Sequence, residues 1–248
     1  MSYLSGNFSA LIDKGRVRET NEDAALGVAN AYGNILLAVA DGMGGANKGE
    51  YASNKLLECL KADFLNIEKE MTSARAIIKW LNQSIDNANA KIYEKSTKDE
   101  AFKGMGTTLS LVMLVKDIMV TAQVGDSRIY LLKDKKLTQI SVDQTYATYL
   151  LHENKISPSE VATHKHRHKI TNAVGTKARC NIDFNHYKYN REKILVCSDG
   201  LYNNIAFPIM ESILIGNDSL NKKCLELIAF GNANGGTDNM AVVIWESN

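Results

Sequence analysis

The alternation of apolar and polar positions divides the chain into recognisable elements. Residues 34–40, NILLAVA, form an apolar run that ends on Asp41 and a glycine cluster, which predicts a buried strand entering a tight loop. The period then lengthens. Ala52, Leu56, Leu57, Leu60 and Phe64 recur at helical spacing. A second helix is expected over about 72–95, with Ile77, Leu81, Ile85, Ala88 and Ile92 on one face and Thr72 or Ser73 as its N-cap. Residues 107–115, 117–124 and 127–132 are rich in β-branched and apolar residues, and the short polar breaks between them predict antiparallel hairpins. Residues 143–162 have a helical pattern, and Ser157 with Glu160 forms a capping box that restarts a helix there. After an irregular polar stretch at 163–180 come strands at 182–189 and 193–198, the second ending in Ser198-Asp199-Gly200. Helices near 207–214 and 219–231 lead to a closing strand over 239–246.

Runs of strands separated by helix pairs, rather than strict strand–helix alternation, predict an α+β domain with antiparallel sheets packed together and helices outside. No Pro- or Gly/Ser-rich linker interrupts the pattern, so residues 1–248 are expected to form a single domain. Composition narrows the partners. There are 29 basic and 28 acidic residues, giving a formal charge of +1, which excludes bulk attraction to nucleic acid or acidic membranes. The start of the chain lacks the pattern of a signal peptide. The longest apolar runs, Ile35 to Ala40 and Leu109 to Val115, are too short to span a bilayer. Cys59, Cys180, Cys197 and Cys224 form no CxxC pair, which fits buried thiols in a cytoplasmic protein.

Five short polar motifs sit at strand ends or in adjoining turns: Arg18-Glu19-Thr20-Asn21-Glu22-Asp23, Asp41-Gly42-Met43-Gly44-Gly45, Gly125-Asp126-Ser127-Arg128, Ser198-Asp199-Gly200-Leu201 and Gly236-Thr237-Asp238-Asn239. A single Asp-Gly is a turn. Apolar strands that repeatedly finish on Asp-Gly would instead aim their carboxylates at a common sheet edge. Converging carboxylates repel one another, and hard divalent cations offset that repulsion with oxygen ligands. The set therefore points to a metal site.

The motifs RETNED, DGMGG, GMGTT, GDSRIYLL, SDGLYN and GGTDNMAVV, in this order, resemble the PPM family of metal-dependent Ser/Thr protein phosphatases, the type 2C class, in its bacterial branch. The resemblance runs from about residue 8 to 246. It implies two antiparallel β-sheets sandwiched between pairs of α-helices, with the metals at one end. It implies two core Mn2+ or Mg2+ ions and a third, weaker one. Asp41 would bridge the core pair, Gly42 would bind through its carbonyl, and Asp199 and Asp238 would complete the other ion. Glu22 and Asp23 would act through water, and Asp126 would hold the third metal together with Asp199. Arg18 matches the phosphate-binding arginine, where the residues alone suggest a surface arginine paired with Glu19 or Glu22. The activity implied is hydrolysis of phosphoserine and phosphothreonine by a metal-bridging hydroxide, reversing a Ser/Thr kinase, in a monomer. Two other readings share these residues: a phosphatase for small phosphometabolites, and a non-catalytic phosphoprotein-binding homologue.

The sequence departs from the family's pattern in two places. Met43 stands where eukaryotic members carry a histidine that protonates the leaving group. A thioether cannot donate a proton, which leaves that task to water. Residues 143–180 match the family's variable flap, where His164-Lys165-His166-Arg167-His168-Lys169 forms a basic cluster. That cluster is compatible with a solvated loop, with a docking patch for acidic or multiply phosphorylated substrate, or with a zinc site on the alternating histidines.

Overall fold

The computed structural model describes residues 4–44 and 48–248; Gly45, the last residue of the DGMGG motif, lies outside them. One sheet has five strands in the order β1 (Gly6–Asp13), β11 (Met240–Ser247), β10 (Lys193–Cys197), β7 (Arg128–Lys133) and β8 (Lys136–Gln139). The other runs β2 (Asp23–Ala29), β3 (Ile35–Met43), β5 (Leu109–Val115), β6 (Ile118–Val124) and β9 (Asp183–Lys188), with the short β4 (Gly106–Thr107) beside the end of β3. All neighbours are antiparallel. Helices α1 (Lys48–Leu65) and α2 (Ala74–Lys98) cover the second sheet. Helices α5 (Asp199–Tyr202), α6 (Phe207–Ile215) and α7 (Leu220–Ala233) cover the first. Two more, α3 (Tyr146–His152) and α4 (Pro158–Val161), lie in the flap segment.

The period-2 pattern of the strands explains this four-layer stack. In β3, Leu36, Ala38 and Ala40 face α1 and α2, while Ile35, Leu37 and Val39 face the other sheet. In β11, Met240, Val242 and Ile244 pack under the α5–α7 helices, while Ala241, Val243 and Trp245 fill the space between sheets. A strand apolar on both faces serves two cores at once, which is why NILLAVA is a continuous run. Trp245 closes the inter-sheet core and donates its indole N–H to the Tyr189 hydroxyl at 2.7 Å.

Two capping expectations are met. Ser73 caps α2, and its side chain accepts from the Ala76 N–H. The Ser157–Glu160 capping box is present. No helix among the described residues is long and apolar enough to cross a membrane. The 143–162 stretch forms two short helices, α3 and α4, the second beginning at the capping box. Two expectations need correction. The hairpin expected between 117–124 and 127–132 does not form. At Gly125, with φ of +87°, the chain leaves one sheet and enters the other. A Cβ there would lie 2.6 Å from the Thr108 methyl, so the turn requires glycine. Strands β1, β2 and β8 were not anticipated. Their sequences GNFSALID, DAALGVA and KLTQ are half-exposed edge or near-edge strands with little β-branched character.

Candidate active site

Strand register brings the five motifs to one end of the sandwich. Asp23 lies directly opposite Asp41 across β2 and β3. Their positions follow the parity of Ala25 and Val39, so both face the inter-sheet space. In the other sheet Cys197 pairs with both Arg128 and Val242, and Asp13 pairs with Met240. The end of β10, the start of β7 and the start of β11 therefore share the same edge. Asp199 follows β10, Asp238 precedes β11, and Asp126 sits in the crossover from β6 to β7. The loop 14–22, which carries Arg18 and Glu22, is another crossover at this end, from β1 to β2.

Uncharged side chains hold the two halves together. Ser198 accepts from the Ala241 N–H of its own sheet at 2.8 Å and donates across the sheets to Asp23 Oδ2 at 2.6 Å. Asn239 accepts from the Glu22 N–H and donates to the carbonyls of Lys14 and Thr20, each at 2.9 Å, which shapes the arginine-bearing loop. The Asp41 N–H donates to Thr108 Oγ1 at 2.9 Å, and Thr108 contacts the Ser127 hydroxyl at 2.8 Å. These residues lie inside or beside the quoted motifs, yet reasoning from carboxylates alone passed over them.

The electrostatics are those of crowded acids. Asp23 is 2% exposed, and desolvation, with Asp199 and Asp238 adding repulsion, pushes its carboxyl up to about 8 against the Ser198 hydrogen bond. Asp126 is 4% exposed and is pushed up to about 7, first by desolvation and then by Asp199. Asp41 is raised well above the ordinary carboxylate range by desolvation and by Asp23, Asp199, Asp126 and Asp238. Its neighbourhood in turn lowers the Asp23 and Asp199 carboxyls and offsets part of their rise. Asp199 is raised by desolvation and Asp238, opposed by His168 and Arg18. Arg18, 52% exposed at its side chain, pairs with Asp238 at 2.7 Å, rather than with Glu19 or Glu22.

The donor set is all oxygen. Among the described residues no three His, Cys, Asp or Glu side chains form a ready-made metal cage. The acids reach one end of the sandwich from separate strands and turns, an arrangement suited to ions that keep several waters and take only a few protein oxygens, as Mg2+ does. The alternating histidines of the flap likewise form no such cage. Gly42 is enclosed by backbone from two other segments. A Cβ there would come 2.1 Å from the Gly49 carbonyl oxygen and 2.6 Å from that of Glu22. Gly42→Ala is expected to cost about 1–3 kcal/mol of stability, read as a lower Tm, and to weaken Mn2+ binding in calorimetry. An unchanged melt would show that the turn yields easily.

The flap is anchored beside the carboxylates. Arg128 grips Asp143 through Nε and Nη2, the latter at 2.7 Å, and stacks 3.6 Å from the centroid of the Tyr202 ring. Gln144 exchanges bonds with Gly125 and accepts from the Thr171 N–H at 2.8 Å. The far end returns to α2, where Asn89 accepts from the Gly175 N–H and donates to the carbonyls of Lys177 and Ala178. Asp143 and Gln144 carried no signal beyond membership of a predicted helix.

A match to the protein phosphatase 2C family spans residues 15–222. The serine/threonine phosphatase stp of Listeria welshimeri is 33% identical over 237 residues, covering 95% of this chain and 94% of its own length. The solved serine/threonine phosphatase of S. agalactiae superposes with a TM-score of 0.90 at 30% identity, covering 98% of this chain and 100% of that one. The catalytic domain of the serine/threonine protein phosphatase PstP, solved in complex with 2 manganese ions, superposes with a TM-score of 0.85 at 28% identity, covering 98% and 99%.

Proposed function

The chain belongs to the protein phosphatase 2C family and is a serine/threonine phosphoprotein phosphatase of the bacterial PPM type, and from that premise we propose which of its residues carry the reaction. The observation that carries the reading is the convergence of Asp23 and Asp41 from one sheet, Asp199 and Asp238 from the other, and Asp126 from the crossover between them. Asp41, Gly42, Asp199 and Asp238 would hold two divalent cations, with Glu22 and Asp23 contributing through water. Asp126 and Asp199 would hold a third. The solved PstP complex with manganese supports Mn2+ as one occupant, and the all-oxygen donor set suits Mg2+ as well. Such ions, when bound, lower the pKa of a shared water toward neutrality and offset charge on the phosphoryl group.

The chain's own groups supply orientation. Asp41 stands opposite Asp23 and faces the space between the sheets, so its carboxylate would accept a hydrogen bond from the attacking water there. Ser198 and Thr108 keep Asp23 and the Asp41 backbone in place. Arg18 would leave Asp238 once that carboxylate binds a cation, and its planar fork would then take two phosphoryl oxygens. The substrates are phosphoproteins, and we assign the opposing step to a Ser/Thr kinase. We read residues 1–248 as one catalytic domain, since both sheets contribute to one site, and place the protein in the cytoplasm as a monomer.

The test is phosphate release from a phosphothreonine peptide with chelator, with Mg2+ and with Mn2+, for wild type and Asp199→Asn. Release should require a cation and fall by about 100-fold or more in the variant, in line with losing several kcal/mol of transition-state stabilisation. Release in chelator, or a fully active variant, overturns the metal assignment.

A further inference from the structure

The flap carries charge that the catalytic reading leaves unused. Lys165, Arg167 and Lys169 are exposed, as are Lys177 and Arg179 on the strip that leads back to α2. Among the described residues none of these five lies within ion-pair reach of a carboxylate. Some lysines elsewhere pair with acids, as in Lys95–Asp99, Lys103–Glu100 and Lys116–Glu70. What sets this segment apart is its composition: residues 163–182 hold these five cations and no Asp or Glu, in a chain with 29 basic and 28 acidic residues.

The basic segment is also held in shape. The Tyr146 ring packs against His164 and His166, with centroids 6.2 and 5.9 Å away, and Lys169 Nζ lies 5.9 Å from its centroid. The Tyr146 N–H donates to the Lys169 carbonyl at 2.8 Å. Successive turns bond the Arg167 N–H to the His164 carbonyl and the Lys169 N–H to that of His166. Its position is next to the site. Gln144 ties Thr171 to Gly125, the neighbour of Asp126. Like charges fixed side by side repel, and an anionic partner relieves that repulsion.

We propose that the basic strip from Lys165 to Arg179 docks acidic or additionally phosphorylated residues flanking the scissile phosphoresidue, so that the enzyme favours phosphoproteins with an acidic context. This rests on the phosphatase reading above and names the substrate class of that site. The strip lies outside the carboxylate set, so it acts on substrate capture. Arg167 suits bidentate contact with a carboxylate or a second phosphate.

The experiment compares wild type with a Lys165→Gln, Arg167→Gln, Lys169→Gln variant, both loaded with Mn2+. The substrates are a phosphothreonine peptide flanked by glutamates, the same peptide flanked by serines, and p-nitrophenyl phosphate. Wild type should prefer the acidic peptide by about tenfold in kcat/KM, through KM, and lose the preference in high salt. The variant should level the two peptides and keep its aryl phosphatase activity. If the variant instead fails on the aryl phosphate, Lys177→Gln with Arg179→Gln provides the reading, with an expected loss of about threefold in preference. Equal rates on both peptides in wild type, or the same loss on both in the variant, overturns the docking strip alone. Level peptides together with strip-dependent binding to anionic lipid vesicles or single-stranded DNA also overturns it. Hydrolysis of the aryl phosphate with no turnover of either peptide overturns the protein-substrate reading and the docking strip with it.

Discussion

Replacing Asp41 with asparagine is expected to abolish phosphate release, by about 1,000-fold or more, while raising the Tm of the metal-free protein. The two effects share one cause. Asp41 is desolvated and surrounded by Asp23, Asp199, Asp126 and Asp238, all of which raise its carboxyl. An amide of the same shape removes a repelling charge from this crowd. Its backbone bonds to Thr108 and Thr107 are untouched, so the strand end keeps its geometry. The same change removes a carboxylate oxygen that would hold the divalent cations. Losing such electrostatic stabilisation of the transition state costs several kcal/mol, and about 4 kcal/mol corresponds to the stated factor. Strain held at a functional site and relieved by an inactivating substitution is a general trade. Thermal melts in chelator and phosphate release in Mn2+ check both halves. A variant that is inactive but less stable would mean that Asp41 is chiefly structural.

In chelator the stability of the wild type should fall as pH rises from about 4 to about 8, and added Mn2+ should restore most at the alkaline end. The sign follows from proton counts. Folded Asp23 holds its proton up to about 8 and Asp126 up to about 7, against an ordinary 3.8. In that window the folded state binds more protons than the unfolded chain, so raising the pH favours unfolding. The slope contributed by each group approaches about 1.4 kcal/mol per pH unit. Above the window the carboxylates are ionised when folded, repel most, and gain most from a cation. Melting curves at several pH values, with chelator and with Mn2+, give the two profiles. A chelator profile flat between pH 5 and 8 would show that the acids are not crowded in solution.

Much of this architecture was legible because strand parity is local. NILLAVA and the alternation in Met240 to Trp245 announce two-sided burial without knowledge of partners. The aspartates were legible because each follows or precedes such a strand. The crossover at Gly125 was not, since Val124 and Arg128 are separated by a break that suits a hairpin equally well. Only the fit of Gly125 against Thr108 decides it. Strands β1 and β2 were missed because Asn7, Ser9, Ala24, Ala25 and Gly27 have little strand preference. Phe8 packs over Gly27, where a Cβ would come 2.5 Å from the ring, and that tertiary contact has no sequence pattern. Asp143 and Gln144 were hidden for a similar reason. Their partners, Arg128 and Gly125, lie in a motif already assigned to metal chemistry. Arg18, the arginine proposed to bind phosphate, was legible only through its motif, because nothing near it in sequence announces Asp238.

The pairing of β1 with β11 ties the two ends of the sequence together, from Gly6 with Ser247 to Asp13 with Met240. β11 also lies between β1 and β10, so the first sheet lacks an interior strand until Met240 to Ser247 are in place. During synthesis the ribosome delivers Asp23, Asp41 and Asp126 long before Asp238 and the strand that follows it. Contacts this distant in sequence form late. A nascent chain therefore has no working catalytic centre, and a C-terminal truncation that removes β11 should behave as an unfolded protein rather than as a weakened enzyme.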